Sequence, residues 1–303
     1  MLRVATTYGY RPNPLGRALS TRRLQIIGVI VHDIRDSYFG DIIRGIEDAT
    51  NSAGYLVVTC NSDRDRDREL AYLELLVAHR VSGVLFVSSG VDDPQHNAAL
   101  SAQLQLLATN GGHAVAVAST RLLIPQVVPD NRGGARQIAT HILSLGATPM
   151  LVLAGPPDLC TSEERLAGVA DAFAAAGGEW DSRLVAYANF RQADARDAVT
   201  AALKNGTQFR AVLALSDMMA IGALEALESA GVHVPQDVVV SGFGNIPQTT
   251  LTRPRLTTVH VPTRELGQFG GEAILQAART NGPLSLTPKV LATEIVVRDS
   301  TGG

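Results

Sequence analysis

The stretch from Ile26 to Gly54, IIGVIVHDIRDSYFGDIIRGIEDATNSAG, constrains the fold more than any other. It reads as one strand, one polar turn and one helix in immediate succession. The apolar run Ile26 to Val31 suits a strand covered on both faces, whereas Phe39, Ile42, Ile43, Ile46, Ala49 and Ala53 recur at helical spacing. Gly54 ends that helix, since glycine accepts the left-handed cap without a steric penalty. The turn His32 to Ser37 falls at the carboxyl end of a parallel strand, where open α/β sheets bind ligands. It delivers two aromatics, Tyr38 and Phe39, to the helix start.

A chain of 303 residues, 46% hydrophobic, has enough apolar material for two cores, so two lobes are expected. The formal charge is −3, unevenly spread: residues 1–23 hold Arg3, Arg11, Arg17, Arg22 and Arg23 with no acid, leaving 21 basic against 29 acidic side chains elsewhere. Such asymmetry points to a short arm that meets nucleic acid, attached to an acidic body. Cys60 and Cys160 lie far apart, which gives neither a disulfide framework nor metal-ligand spacing, and both read as ordinary thiols of a reducing compartment. Met1 to Leu19 lacks the apolar segment of a signal peptide, and no run approaches the ~20 apolar residues of a membrane span. The expected location is therefore cytoplasmic, with no membrane partner.

Residues 4–8 look like the end of a helix stopped by Gly9, Pro12 and Pro14 forbid helix across RPNP, and a short helical patch follows from Leu15 to Ser20. The body then alternates, with strands near 55–60, 84–88, 114–118 and 126–129 and helices near 66–79 and 94–109. From Asn131 the rhythm restarts: helices at 131–145, 162–176, 191–204, 217–230 and 262–281, and strands at 149–154, 183–187, 211–215, 237–242 and 290–297. Alternation of this kind implies parallel strands joined by right-handed crossovers. The expected fold class is α/β, with two doubly wound parallel-sheet lobes and a cleft between them.

Segments spread over the whole chain carry a resemblance. YGYRPNPLGRAL, IIGVIV followed by DSYFGDIIRGIEDA, VVPDNRGGARQIATHILSLG, ERLAGVADAF, SDMMAIGALEALESAGVHVPQDVVVSGFGN, TRPRLTTV and TEIVVRDST, in this order and spacing, resemble the lactose-repressor/galactose-repressor (LacI/GalR) family of bacterial transcription regulators. The resemblance implies a periplasmic-binding-protein-like (type I) effector domain, usually dimeric, preceded by a helix-turn-helix headpiece and a hinge helix entering the DNA minor groove. It also implies chain crossings near residues 130, 261 and 286. The expected parts are a headpiece remnant and hinge at 1–25, a first lobe at 26–130 plus 262–286, and a second lobe at 131–261 plus 287–303.

Family positions that face the effector are matched by Tyr38 and Phe39, which offer flat faces to a ring, and by Thr161, Arg165 and Phe190. Arg165, in ERLAG, presents a planar guanidinium suited to paired hydroxyls, a carboxylate or a phosphate. Ser216 and Asp217 replace the usual Asn-Asp pair. Asp130 sits at a lobe crossing and serves equally well as an N-cap of helix 131–145. Where the family carries GFD or GYD, this chain reads GFGN, so Gly244 stands at the usual hydroxyl-accepting acid and a plain pentose or hexose is disfavoured. Asn245 and Gln248 are the nearby groups available to compensate.

Against the family headpiece, the chain is expected to carry only the tail of the third helix, with both helices of the helix-turn-helix, including the one that reads the major groove, missing. In the hinge, Leu19 matches the minor-groove wedge, and Arg17 and Arg22 are positioned for phosphates. Enzyme motifs are absent: there is no GxxxxGK[ST], GxSxG or HExxH, and the seven histidines lack metal-ligand spacing. His32 reads as an ordinary hydrogen-bonding loop residue. The expected function is a non-enzymatic, cofactor-free repressor-type regulator. A small-molecule effector, a sugar or related metabolite, binds in the cleft of a homodimer, and operator DNA is a partner only with a complete headpiece. A periplasmic-type sugar-binding protein and a headless ligand-binding regulator are the alternatives.

Overall fold

The computed structural model describes residues 24–280 and 285–303. Strand β1 (Leu24–Val31) lies inside a four-stranded sheet, flanked by β2 (Leu56–Asn61) and β3 (Val81–Val87), with β4 (His113–Ala116) beyond β3. All pairings are parallel, and Val29 stands opposite both Thr59 and Leu85. Ile27, Val29 and Val31 pack with Ile42 and Ile46 of helix α1 (Ser37–Thr50), while Ile30 points the other way, into Leu73, Leu76 and Val77 of α2 (Arg66–Ala78). Burial on both faces is why the run at 26–31 contains no polar residue. On the side of α2 lies α3 (Pro94–Thr109); its start is fixed by Asp93, whose carboxylate accepts from the backbone of Gln95 and His96, and by Pro94 in the first turn.

The second sheet repeats the plan. Strand β6 (Met150–Ala154) lies between β7 (Val185–Tyr187) and β8 (Ala211–Ala214), with β9 (Val239–Ser241) beyond β8, again all parallel. Helices α4 (Asn131–Ser144), α5 (Cys160–Ala175), α6 (Gln192–Lys204) and α7 (Asp217–Ser229) cover it. The two doubly wound parallel-sheet lobes expected from the alternation of elements are thus both present. No helix among the described residues is long and apolar enough to cross a membrane. The expected helical stretches at 4–8 and 15–20 lie outside the described residues.

Short strands join the lobes. Strand β5 (Val127–Pro129) leads into α4, β10 (Thr258–His260) leads into α8 (Thr263–Thr280), and β11 (Lys289–Leu291) and β12 (Glu294–Val296) follow. The single strand expected at 290–297 is broken into these two because the chain changes partner within it: β11 runs parallel to β5, and β12 antiparallel to β10. At the break, Thr293 Oγ1 donates to the Asp130 carbonyl and Gln137 Nε2 donates to the Thr293 carbonyl. Hydropathy alternation cannot register a change of partner. Two further differences have local causes. Helix α5 begins at Cys160, whose N–H donates to Gly90 O in the other lobe, and residues 182–184 form a 3₁₀ turn started by Asp181, which shortens β7.

Helix α8 returns to the first lobe and packs on α1 with backbone against backbone at Gly45 and Gly267. A Cβ on Gly45 would lie 2.0 Å from Arg264 O, and one on Gly267 would lie 1.9 Å from Ile42 O. Only glycine permits that approach. Arg264 Nη2 also meets Asp48 at 2.6 Å, pinning the exposed edge of the pair.

Candidate ligand-binding site between the lobes

The carboxyl ends of the two sheets face each other across a cavity of about 740 Å³, counted to its open mouth, which is the size range of small-molecule sites. From the first lobe, Asp36 accepts a hydrogen bond from the Tyr38 N–H at 3.0 Å and so caps α1. That cap sets Tyr38 and Phe39 in the first helical turn, where the rings meet edge to face at 5.4 Å and both line the cavity. Phe190 faces them from the second lobe and carries the guanidinium of Arg64 5.3 Å from its centre.

Arg165 reaches the cavity wall from α5 and is only 5% exposed. Its Nε donates to Asn131 Oδ1 at 2.9 Å and its Nη1 to the Leu215 carbonyl at 2.6 Å. Asn131 in turn donates to Glu164, which also accepts from Ser119 of the first lobe. Burial lowers the Arg165 pKa from its ordinary value, and the neighbouring Tyr38, Glu164 and Asp217 oppose that shift. Arg165 makes no surface ion pair with Glu163 or Glu164, because α5 turns it inward.

Asp217, 2% exposed, opens α7 behind Ser216, whose Oγ accepts from the Met219 N–H. Its Oδ1 accepts from Thr258 Oγ1 at 2.5 Å and its Oδ2 from the Ile246 N–H at 2.9 Å. Burial pushes its pKa up to about 6, against the pull of those same hydrogen bonds. Gly244 has φ +138°, and a Cβ there would lie 3.1 Å from Asp217 Oδ2 and 3.6 Å from Tyr38 Cδ2. A carboxylate on residue 244 would meet the carboxylate of Asp217. The missing acid of GFGN therefore spares the cavity a like-charge pair.

Seven of the residues singled out from sequence, Tyr38, Phe39, Thr161, Arg165, Phe190, Ser216 and Asp217, converge on this cavity. Asp130 and Gln248 do not line it. The Asp130 carboxylate accepts from the Gly133 N–H and caps α4, and Gln248 Oε1 accepts from Ser37 Oγ across the lobes. Asn245 also turns away, accepting from Arg298 Nη2 and donating to His260 Nδ1, so it offers no replacement for the missing carboxylate. The hinge residues Arg17, Leu19 and Arg22 lie outside the described residues. Sequence reasoning missed Arg64, because the run Asp63 to Glu69 reads as a solvated helix start, although its position just after β2 was a signal. It also misjudged His32. This side chain is 6% exposed, lines the cavity, and among the described residues neither ring nitrogen has a well-formed hydrogen bond, the Ser89 backbone being its one weak partner. Desolvation and nearby Arg64 lower its pKa to about 4. No cluster of His, Cys, Asp and Glu suited to a metal occurs among the described residues.

Residues 25–290 match the family of periplasmic binding proteins and the sugar binding domain of LacI family. The chain belongs to the LacI family. Among regulators similar to this LacI-family chain is the HTH-type transcriptional regulator CelR of Thermobifida fusca, 30% identical over 301 residues, covering 96% of this chain and 86% of the relative. The ribose operon repressor of Halalkalibacterium halodurans is 28% identical over 306 residues, covering 100% of this chain and 87% of the relative. Among solved structures, a CelR–cellobiose complex superposes with a TM-score of 0.78 at 27% identity, covering 98% of this chain and 88% of that one. The lac repressor, at 23% identity and a TM-score of 0.84, shares the fold. These similar proteins are named as transcriptional regulators and repressors, and this LacI-family chain is an effector-sensing transcriptional regulator.

Proposed function

We propose that the chain is the sensing body of a homodimeric, non-enzymatic repressor that takes a small ring-bearing metabolite, a sugar or a close derivative, into the cleft and converts lobe closure into altered operator affinity. The observation that carries this reading is the juxtaposition of Tyr38 and Phe39 of one lobe with Arg165 and Asp217 of the other around a single cavity. A molecule held there touches both lobes, so it binds the closed arrangement better than the open one and shifts the balance by that difference. Tyr38, Phe39 and Phe190 would stack on the ring, while Thr161, Arg165, Ser216 and Asp217 would orient it. The sugar class is supported by the names of two relatives, a ribose operon repressor and a CelR–cellobiose complex. Operator contact is assigned to Arg17, Leu19 and Arg22. The lobes are taken as 26–130 plus 262–286 and 131–261 plus 287–303, with the crossings near 130, 261 and 286 lying beside the β5–β11 and β10–β12 pairs.

The test is thermal unfolding and small-angle scattering with ribose, glucose, cellobiose and their acidic derivatives, alongside light scattering. A true effector should add about 2.7 kcal/mol at a hundred times its Kd and contract the particle, with the protein at dimer mass. Binding that leaves the particle unchanged, or that survives Tyr38→Ala and Phe39→Ala together, would refute the cleft as the sensing site.

A further inference from the structure

Beside the main cavity lies a second, more polar one, also between the lobes, whose walls include Ser62, Asp65, Glu69 and Asp158. The two share His32, Arg64 and Leu159. Arg64 is the half-buried cation at this junction, and among the described residues it has neither a hydrogen-bond nor an ion-pair partner; it stands over the Phe190 ring. The acids around it are otherwise engaged. Asp33 binds Arg35 through both carboxylate oxygens, Asp63 lies 3.5 Å from Arg191, and Asp36 caps α1. Arg191 adds positive potential to the same spot, and burial lowers the Arg64 pKa.

The backbone holds this cation where it is. Asp63 and Arg64 have φ of 53° and 62°, and across the cleft Asn189 and Phe190 have φ of 46° and 56°. Left-handed non-glycine residues are strained, and such strain persists where surrounding structure enforces it. Two successive strained residues on each lobe thus bring one guanidinium to one ring. Next to it sits the nine-tenths buried imidazole of His32, a neutral donor and acceptor without a well-formed hydrogen bond.

An unpaired, partly desolvated guanidinium beside an imidazole that lacks a well-formed hydrogen bond is a receptor for an anion. We propose that the ligand is a ring-bearing anion, such as a sugar acid or sugar phosphate, whose ring lies between Tyr38, Phe39 and Phe190 and whose carboxylate or phosphate is bound by Arg64 and His32 at the junction of the two cavities. The absence of a carboxylate on Gly244 fits, since it removes one source of repulsion from the cleft. This inference rests on the reading of the cleft as a sensing site for a ring-bearing molecule.

The experiment is calorimetry on the full chain with matched probes: glucose, glucuronate and glucose 6-phosphate, and ribose with ribose 5-phosphate. At least one anion should bind about tenfold or more tightly than its neutral parent, the contribution of a charge-assisted contact. Its affinity should fall with added sodium chloride, and the advantage should vanish in Arg64→Ala while Arg64→Lys keeps part of it. Phosphate and carboxylate arms identify which anion is taken. A neutral sugar that binds as tightly as its acid, or an anion whose advantage survives Arg64→Ala in a protein with unchanged melting temperature, overturns the anion site and leaves the sensing cleft standing. Failure of every probe, neutral and anionic, at millimolar concentration overturns both.

Discussion

Arg165 lies 3.8 Å from the centre of the Phe243 ring while donating to Asn131 and to the Leu215 carbonyl. It is a wall of the cavity and a member of the second lobe's interior at once, so its removal has two separable effects.

Arg165→Ala leaves Asn131 Oδ1 and the Leu215 carbonyl without their donor. The expected loss is about 2–4 kcal/mol of stability, read as a lower urea midpoint, in addition to any loss of ligand affinity. An unchanged midpoint would mean that the two acceptors find other partners.

For Asp217 the folded-state pKa of about 6 lies above the ordinary carboxylate value of 3.8. Between those values the folded protein holds a proton that the unfolded chain has lost, so stability falls as pH rises through the window and is level above it. The stability difference between the parent and Asp217→Asn should shrink by roughly 2 kcal/mol from about pH 4 to about pH 6. Urea titrations at four pH values would measure it; a constant difference would place the carboxylate in a wetter setting.

His32 titrates in the opposite sense. Its pKa is depressed from 6.5 to about 4, so the folded protein stays neutral where the unfolded chain takes up a proton, and stability is lost as pH falls through that range. His32→Leu removes this loss together with two nitrogens that lack a well-formed hydrogen bond, and should raise stability at neutral pH by about 1–2 kcal/mol. The gain should widen toward pH 4. A variant less stable than the parent at every pH would show that the imidazole has strong partners after all.

Gly244→Ala and Gly244→Asp separate strain from charge. Alanine at φ +138° should cost about 1–3 kcal/mol. Aspartate should cost more than alanine above about pH 6, where Asp217 is ionised, and little more below it. Equal costs at both ends of the range would show that the two carboxylates do not meet.

Gly267→Ala forces a methyl group into the backbone of α1 at Ile42. Overpacking of this kind costs about 1–3 kcal/mol, and Gly45→Ala should match it. Thermal unfolding checks both; the double variant should fall short of the sum, because the first substitution already parts the helices.

Much of this was readable in the chain. The run Ile26 to Val31 announced a strand buried on both faces, and helical spacing after Tyr38 announced α1, because both patterns report burial directly. The aromatics at the helix start and Arg165 could be placed by position after a strand and by family motif. Other features were invisible for physical reasons. Whether Arg165 faces water or protein depends on how α5 rolls against α4. Whether Asn245 points into the cleft depends on one left-handed φ, and Arg64 is unpaired only because three nearby acids are taken by other groups. Those are properties of tertiary arrangement, and no local pattern encodes them.

The glycine seam between α1 and α8 bears on how an event in the cleft is felt elsewhere. Side chains at a helix interface can change rotamer and absorb a small push, but a backbone resting on a backbone has no such slack. The two helices therefore act as one beam. Its one end carries Tyr38 and Phe39, and its other member begins at Thr263, three residues past the crossing strand β10. A push on the aromatics at its start would therefore bear directly on α8, backbone against backbone, at Gly45 and Gly267.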